Sequence, residues 1–235
     1  MLPRMLTAVL VLAAGRGERL GGTTPKAFVE LAGRTLIERS VATMLSLDEV
    51  TWVLPVVPSG FGRSARELGL PADPRILAAV PGGAERQDSV ARGLEALPSE
   101  VEWVAIHDAA RCLVRAQDVE RVLAAARTDR AALLAVPVSD TIKRVQDGRI
   151  VETPPRGECW VAQTPQVFAI EVIREAIAKA RQDGIVGTDD AQLVERLGVP
   201  VRVVEGSRRN LKITRPEDLL LAERLLVLER EEEEA

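Results

Sequence analysis

The run Leu6-Thr7-Ala8-Val9-Leu10-Val11-Leu12, followed directly by Ala13-Ala14-Gly15-Arg16-Gly17-Glu18-Arg19-Leu20, carries the clearest structural signal in the chain. A short apolar run that ends in glycines reads as a buried strand of the kind found inside parallel sheets. The apolar stretch from Leu6 to Ala14 is too short to span a bilayer, and no small-residue cleavage site follows it. Gly15 and Gly17 come straight after the strand, where a missing Cβ lets the backbone approach a ligand closely. Arg19 and the Lys26 of Thr24-Pro25-Lys26 bring cations to the same loop. Free N–H groups and cations together suit a polyanion such as a triphosphate. Two familiar alternatives fail on the residues. A dinucleotide fingerprint needs a third glycine where Leu20 stands, and a P-loop needs a Gly-Lys-Ser/Thr ending that is missing.

Outward from this strand, short apolar runs alternate with amphipathic helices, the pattern of a mostly parallel sheet covered on both faces. Ile37, Val41, Met44 and Leu45 mark a helix, Thr51–Val57 a strand, and Arg75–Val80 a weaker strand. A helix is expected over Glu85–Leu97, a strand over Trp103–Ile106, a helix through Val119–Ala126, and a strand over Ala132–Val136. From Pro137 to Pro165 the alternation breaks. Val138–Arg144 and Ile150–Thr153 flank the turn signal Asp147-Gly148, which predicts a β-hairpin arm at about 137–160. So small an arm is marginal alone and is expected to pack on something, such as a second subunit. Helices near Ile170–Arg181 and Asp189–Leu197, a strand at Val201–Val204 and a last helix complete the chain. Thr214-Arg215-Pro216-Glu217 starts that helix with a capping-box pattern, and Glu229–Ala235 reads as a solvated, frayed tail. The whole of residues 1–235 is read as one α/β domain.

Composition narrows the function. The 235 residues are 46% hydrophobic but only 3% aromatic, so Leu, Val and Ala must fill the core. A net charge of −4 with both signs interleaved argues against a nucleic-acid binder, which would show a basic stripe. Two cysteines, Cys112 and Cys159, make neither a disulfide framework nor a zinc site, and suit a reducing cytoplasm.

Two later motifs complete the candidate site. Gly82-Gly83-Ala84-Glu85-Arg86-Gln87-Asp88-Ser89 joins a strand to a helix; its amides and Ser89 could hold a base or ribose, or simply cap the helix. His107-Asp108-Ala109-Ala110-Arg111 sits at the C-terminal end of a strand, where open α/β sheets place ligands. Asp108 there could organise Mg²⁺ near phosphates or could be a cap. His107 is read as a structural imidazole.

In order and spacing these pieces resemble the 2-C-methyl-D-erythritol 4-phosphate cytidylyltransferases of the non-mevalonate isoprenoid pathway. The resemblance runs through Ala13-Ala14-Gly15 with Arg19 and Lys26, Gly82-Gly83-x-Glu85-Arg86-x-x-Ser89, and His107–Arg111. It continues through Asp140-Thr141-x-Lys143, Trp160, Gln163-Thr164-Pro165-Gln166, Thr188-Asp189, and Asn210-x-Lys212-x-Thr214-Arg215-Pro216-Glu217-Asp218. It departs at Ala27, Cys112 and Pro155, where such proteins often carry Gln, Pro and Asp. The resemblance implies a Rossmann-like domain of the nucleotide-diphospho-sugar transferase type, working as a cytoplasmic homodimer whose arms reach the partner's site. CTP would lie along Ala13, Ala14, Gly15, Arg16, Gly17, Arg19, Lys26, Gly83 and Ser89. The alcohol phosphate would be lined by Asp108, Arg111, Thr141, Arg156, Thr188 and Lys212. Arg19, Lys26, Arg156 and Lys212 would be catalytic, with Mg²⁺ held mainly by CTP and Asp108 as a candidate ligand.

The chemistry fits a chain with one histidine. A phosphomonoester with a second pKa of about 6 is already a dianion near neutrality and needs no general base. The barrier is the repulsion between two anions, which positioned cations relieve. A cytidylyltransferase for another alcohol phosphate, such as ribitol 5-phosphate, and a non-catalytic nucleotide-binding regulator on the same fold remain alternatives.

Overall fold

The computed structural model describes residues 5–15 and 24–233. It begins with β1 (Thr7–Leu12), a 3₁₀ turn at Lys26–Phe28, the short pair β2 (Glu30–Leu31) and β3 (Arg34–Thr35), α1 (Leu36–Leu45), β4 (Val50–Val57) and β5 (Val80–Pro81). Next come α2 (Arg86–Ala96), β6 (Trp103–Asp108), α3 (Ala116–Asp129), β7 (Ala131–Pro137), β8 (Arg144–Gln146) and β9 (Arg149–Glu152). The chain ends with β10 (Trp160–Ala169), α4 (Ile170–Gln182), α5 (Asp190–Glu195), β11 (Arg202–Glu205) and α6 (Pro216–Glu233).

Seven strands form one sheet in the order β11-β7-β10-β6-β1-β4-β5. All run parallel except β10, which is antiparallel to both its neighbours. The expected strand Leu6–Leu12 is the centre of this sheet: Ala8, Val9, Leu10 and Val11 are fully buried between β4 and β6. Leu10 points at α2, where Gly93 lets the helix close on the sheet; a Cβ there would stand 2.9 Å from Leu10 Cδ1. Side chains alternate along a strand, so Val9 and Val11 serve the opposite face, and α1 also packs on β1 and β4. α1 is capped by Thr35, whose hydroxyl accepts the Glu38 N–H, and Ser40 Oγ donates to the Ala109 carbonyl at 3.0 Å. That bond ties a core helix to the loop following β6.

Several expectations need correction. The strand expected over Arg75–Val80 is reduced to Val80–Pro81, with one bridge between Ile76 and Val53. The Asp73-Pro74 start and the short apolar run leave little to pair. In the hairpin, pairing lies closer to the turn than Val138–Arg144 would put it. Asp147 and Gly148 both take positive φ, which fixes the residues beside them in register. The tail is helical through Glu233, and Glu232 accepts from Arg209 Nη1 at 2.7 Å. At the start of α6 it is Asp218, not Glu217, that accepts the Thr214 and Arg215 N–H groups. The largest omission is β10, hidden by the polar Gln163-Thr164-Pro165-Gln166 in its middle. Its ladder to β7 breaks between Ala162 and Gln166, which frees those side chains to brace other elements.

Gln166 Oε1 accepts the Asp190 and Ala191 N–H groups and its Nε2 donates to Asp189, fixing the start of α5. The buried Asn210 donates to Gln163 Oε1 and the Thr164 carbonyl, holding the loop before α6 against β10. A second apolar cluster of Leu31, Leu36, Cys112, Leu113, Ile213 and Ala222 seats α6 beneath that loop. The departures at 27 and 112 are both packing residues: Ala27 is buried in the main core and Cys112 in this second cluster. Among the described residues no helix is long and apolar enough to cross a membrane.

Two outcomes follow for stability. Gly93→Val forces a branched side chain onto Leu10 and Val56, and urea denaturation should show a loss of roughly 1–3 kcal/mol; an unchanged midpoint would contradict the packing. His107 is fully buried and burial pushes its imidazole down to about 4. A depressed basic group stabilises the fold above its unfolded pKa of about 6.5 and loses that contribution as pH falls toward the folded value. Between pH 7 and 5 the wild type should therefore lose about 2 kcal/mol more stability than His107→Gln. Parallel pH profiles for the two proteins would refute this.

Candidate active site

The site is assembled at the C-terminal ends of β1 and β6, which end side by side with Leu12 opposite Asp108. The Ala13 N–H donates to Val56 and the Ala109 N–H to Leu12, so both following loops leave the sheet in fixed directions. The loop between β5 and α2 presses in from the β4 side. At Gly82 a Cβ would fall 2.3 Å from that of Ala14, and at Gly83 one would fall 2.2 Å from that of Asp88. Only glycine permits this approach. The capping reading of the motif holds, and Gly83 and Ser89 also line a cavity. Glu85 and Asp88 form a reciprocal capping box on α2, and Ser89 Oγ accepts the Gly83 N–H at 3.0 Å while donating to the Glu85 carbonyl. Ser89 thus braces the loop while also lining the cleft.

Two cavities open here. The first, of about 240 Å³, is walled by Ala13, Ala14 and Gly15 on one side and Gly83 and Ser89 on the other. Lys26, Arg86, Asp108 and Lys212 also line it, so the two lysines expected from distant parts of the chain face one cleft. The second, of about 230 Å³, is lined by Arg111, Gln163, Thr164, Thr188 and Asp189. Arg86, Asp108 and Lys212 belong to both.

Asp108 stands at the junction. Its Oδ1 accepts from Arg86 Nε at 3.3 Å and its Oδ2 from Lys212 Nζ at 2.7 Å, while its N–H donates to Thr164 Oγ1 at 3.0 Å. Burial pushes this carboxyl upward, but the Arg86 and Lys212 cations beside it more than offset that and hold it well below the usual carboxylate range. Arg86 continues to the buried Asp190, with Nη1 2.7 Å from Oδ2. Burial works against its charge, and the two carboxylates Asp190 and Asp108 overcome it, so the guanidinium is held more firmly protonated than usual. Arg111 donates to the carbonyls of Asn210 and Ala162, which pins the loop carrying Lys212 to β10. The cluster is therefore rich in fixed positive charge.

Of the expected site residues, Ala13, Ala14, Gly15, Lys26, Gly83, Ser89, Asp108 and Lys212 come together in the first cavity. Arg111 and Thr188 join the second. Arg16, Gly17 and Arg19 lie outside the described residues. Thr141 and Arg156 are exposed and line neither cavity; Arg156 follows the Pro155 cap of a 3₁₀ turn and donates to the Ser139 carbonyl at 3.2 Å. In one chain neither residue therefore forms part of the cleft lining. Both oxygens of Asp108 face cations, and among the described residues no cluster of three or more His, Cys, Asp or Glu could hold a metal. Arg86, Asp190, Gln163, Gln166 and Asn210 had no individual role on sequence grounds. For Arg86 a signal existed: a cation in the first turn of a helix opposes the helix dipole and needs another reason to be there.

Known proteins are similar to this chain in sequence and fold. Residues 7–228 match the family described as IspD: 2-C-methyl-D-erythritol 4-phosphate cytidylyltransferase. A relative of that name from Symbiobacterium thermophilum is 46% identical, covering 93% of this chain and 92% of its own. One from Desulforamulus reducens is 42% identical over 92% and 94%. The crystal structure of the Thermus thermophilus enzyme superposes with a TM-score of 0.75 at 41% identity, covering 94% of this chain and 98% of that one. The 4-diphosphocytidyl-2C-methyl-D-erythritol synthase of Anaerococcus prevotii reaches a TM-score of 0.84 at 28% identity, covering 94% and 96%. With the family match running over residues 7–228 and relatives of that name 42–46% identical over nearly the whole chain, the chain belongs to the 2-C-methyl-D-erythritol 4-phosphate cytidylyltransferase family.

Proposed function

We infer that this enzyme transfers CMP from CTP to 2-C-methyl-D-erythritol 4-phosphate, releasing pyrophosphate. The observation that carries the reading is the placement of Lys26 and Lys212 in one cleft, with Lys212 shared by the adjoining cavity. An acceptor phosphate oxygen attacks the α-phosphorus, a new P–O–P link forms, and the bond to the β-phosphate breaks with its electron pair on pyrophosphate. No proton has to move, because the acceptor arrives as a dianion. The protein's work is positional and electrostatic. The triphosphate lies along Ala13–Gly15 and Gly83, with Lys26 on the charge that builds at the α-phosphorus; Arg19, outside the described residues, is proposed for the same charge. Lys212, aimed by Asp108, draws in the acceptor phosphate, and Arg111 and Thr188 border the alcohol.

A divalent cation such as Mg²⁺, when bound, would neutralise triphosphate oxygens. The donor set does not fit a protein-built cage, since Asp108 is committed to Arg86 and Lys212. The ion would be carried by the nucleotide. Both substrates are polar phosphates, and the reaction is assigned to the cytoplasm. We further propose that the hairpin completes the cleft of a second copy, which brings Thr141 and Arg156 to the acceptor. Support comes from the exposed apolar residues Val145, Ile150 and Val151 on the arm and from the absence of Arg156 from the lining of its own cleft.

Lys26→Ala should lower kcat on the order of 10²–10³-fold with thermal unfolding unchanged, and near-normal pyrophosphate release would end the assignment. Lys212→Ala should raise KM for the alcohol phosphate as well as lower kcat; an unaltered KM would remove its positioning role. Mixing the inactive Lys26→Ala and Arg156→Ala chains should restore activity, because one cleft of each mixed dimer then regains both cations. Failure of mixed dimers to recover activity would show that Arg156 does not act across subunits.

A further inference from the structure

Arg86 is the first residue of α2, where helix polarity disfavours a cation. Two carboxylates from different elements hold it there: Asp108 at the end of β6 and Asp190 at the start of α5. Asp190 follows Thr188 and Asp189, which line the acceptor-side cavity, while α2 follows Gly83 and Ala84, which line the nucleotide-side cavity. One guanidinium thus joins the walls of both cavities to the residue between them. By occupying Oδ1, Arg86 fixes the rotation of the Asp108 carboxylate and leaves Oδ2 for Lys212. Lys212 has a long flexible stem, and its side chain remains 39% exposed, so its aim depends on that oxygen.

We propose that Arg86 is a positioning residue for acceptor binding: it bridges Asp108 and Asp190, and the bridge aims Lys212 at the incoming phosphate. This rests on the reaction proposed above. Arginine is required rather than any cation, because a planar fork can hold two carboxylates in fixed directions and a single ammonium cannot. CTP contacts along Ala13–Gly15, Lys26 and Gly83 lie outside the bridge, so nucleotide binding is largely spared.

The test compares steady-state pyrophosphate release by the full chain, with KM for each substrate, in Arg86→Lys and in the double variant Arg86→Met/Asp190→Asn. The double variant removes the buried carboxylate along with its partner, so that no uncompensated charge is left behind. The expected result is a fall in kcat/KM for the alcohol phosphate on the order of 10²-fold in the double variant, as for a small misplacement of a reacting group. KM for CTP should stay within about threefold. Arg86→Lys keeps the positive charge and should fold with a lowered thermal midpoint, yet show a raised acceptor KM, which a mere counter-charge would not produce. Wild-type acceptor kinetics in Arg86→Lys would overturn the proposal, even if the double variant failed to fold. Equal damage to both KM values would also overturn it. A wild-type chain that releases no pyrophosphate would instead sink the reaction assigned above, and this inference with it.

Discussion

A carboxylate taken out of water is tolerated only when cations and hydrogen bonds replace its hydration. Asp108 meets that condition with Arg86 from α2 and Lys212 from the loop before α6 on its two carboxylate oxygens, while Thr164 of β10 accepts its backbone N–H. Only α2 adjoins β6 in the order of elements; Thr164 and Lys212 come from segments much farther along the chain. The requirement therefore works as an assembly condition. The sheet, the β5–α2 loop and the last loop must all be in place before the charge at the end of β6 is satisfied. The same condition builds the cleft, since the groups that neutralise Asp108 are cations that also face a ligand.

β10 is the second element on which this depends. An unbroken ladder through Gln163 and Thr164 would have turned their side chains to regular sheet positions. Because pairing to β7 lapses there, Gln163 reaches Asn210, Thr164 reaches Asp108, and Gln166 caps α5. Three polar side chains in close succession thereby hold the loop bearing Lys212, the backbone of Asp108 and the start of α5. The binding groups sit on loops, but their aim is set by one strand.

These facts explain what could be read from the residues alone. β1, β4, β6 and β7 were legible because their side chains are buried on both faces, which leaves near-continuous apolar runs. α1, α2, α3 and α4 were legible because each buries one stripe. β10 was not, because its function demands polar residues and a proline in the middle of a core strand. In the site, Lys26, Gly83, Ser89, Asp108 and Lys212 stood in recognisable local motifs. Arg86 and Asp190 did not disclose their partnership, because their separation of 104 positions is closed only by the tertiary fold. Thr141 and Arg156 were expected from the resemblance to serve a neighbouring subunit's site, and in their own chain they line neither cavity.

The burial of the single histidine has a consequence for how rate measurements are to be interpreted. An imidazole that stays neutral down to about pH 4 cannot be the source of an inflection near pH 6. Such an inflection in turnover would instead track ionisation of the acceptor itself, whose second proton leaves in that range. Replacing the acceptor with a phosphonate of different acidity would then shift the curve without any change in the polypeptide.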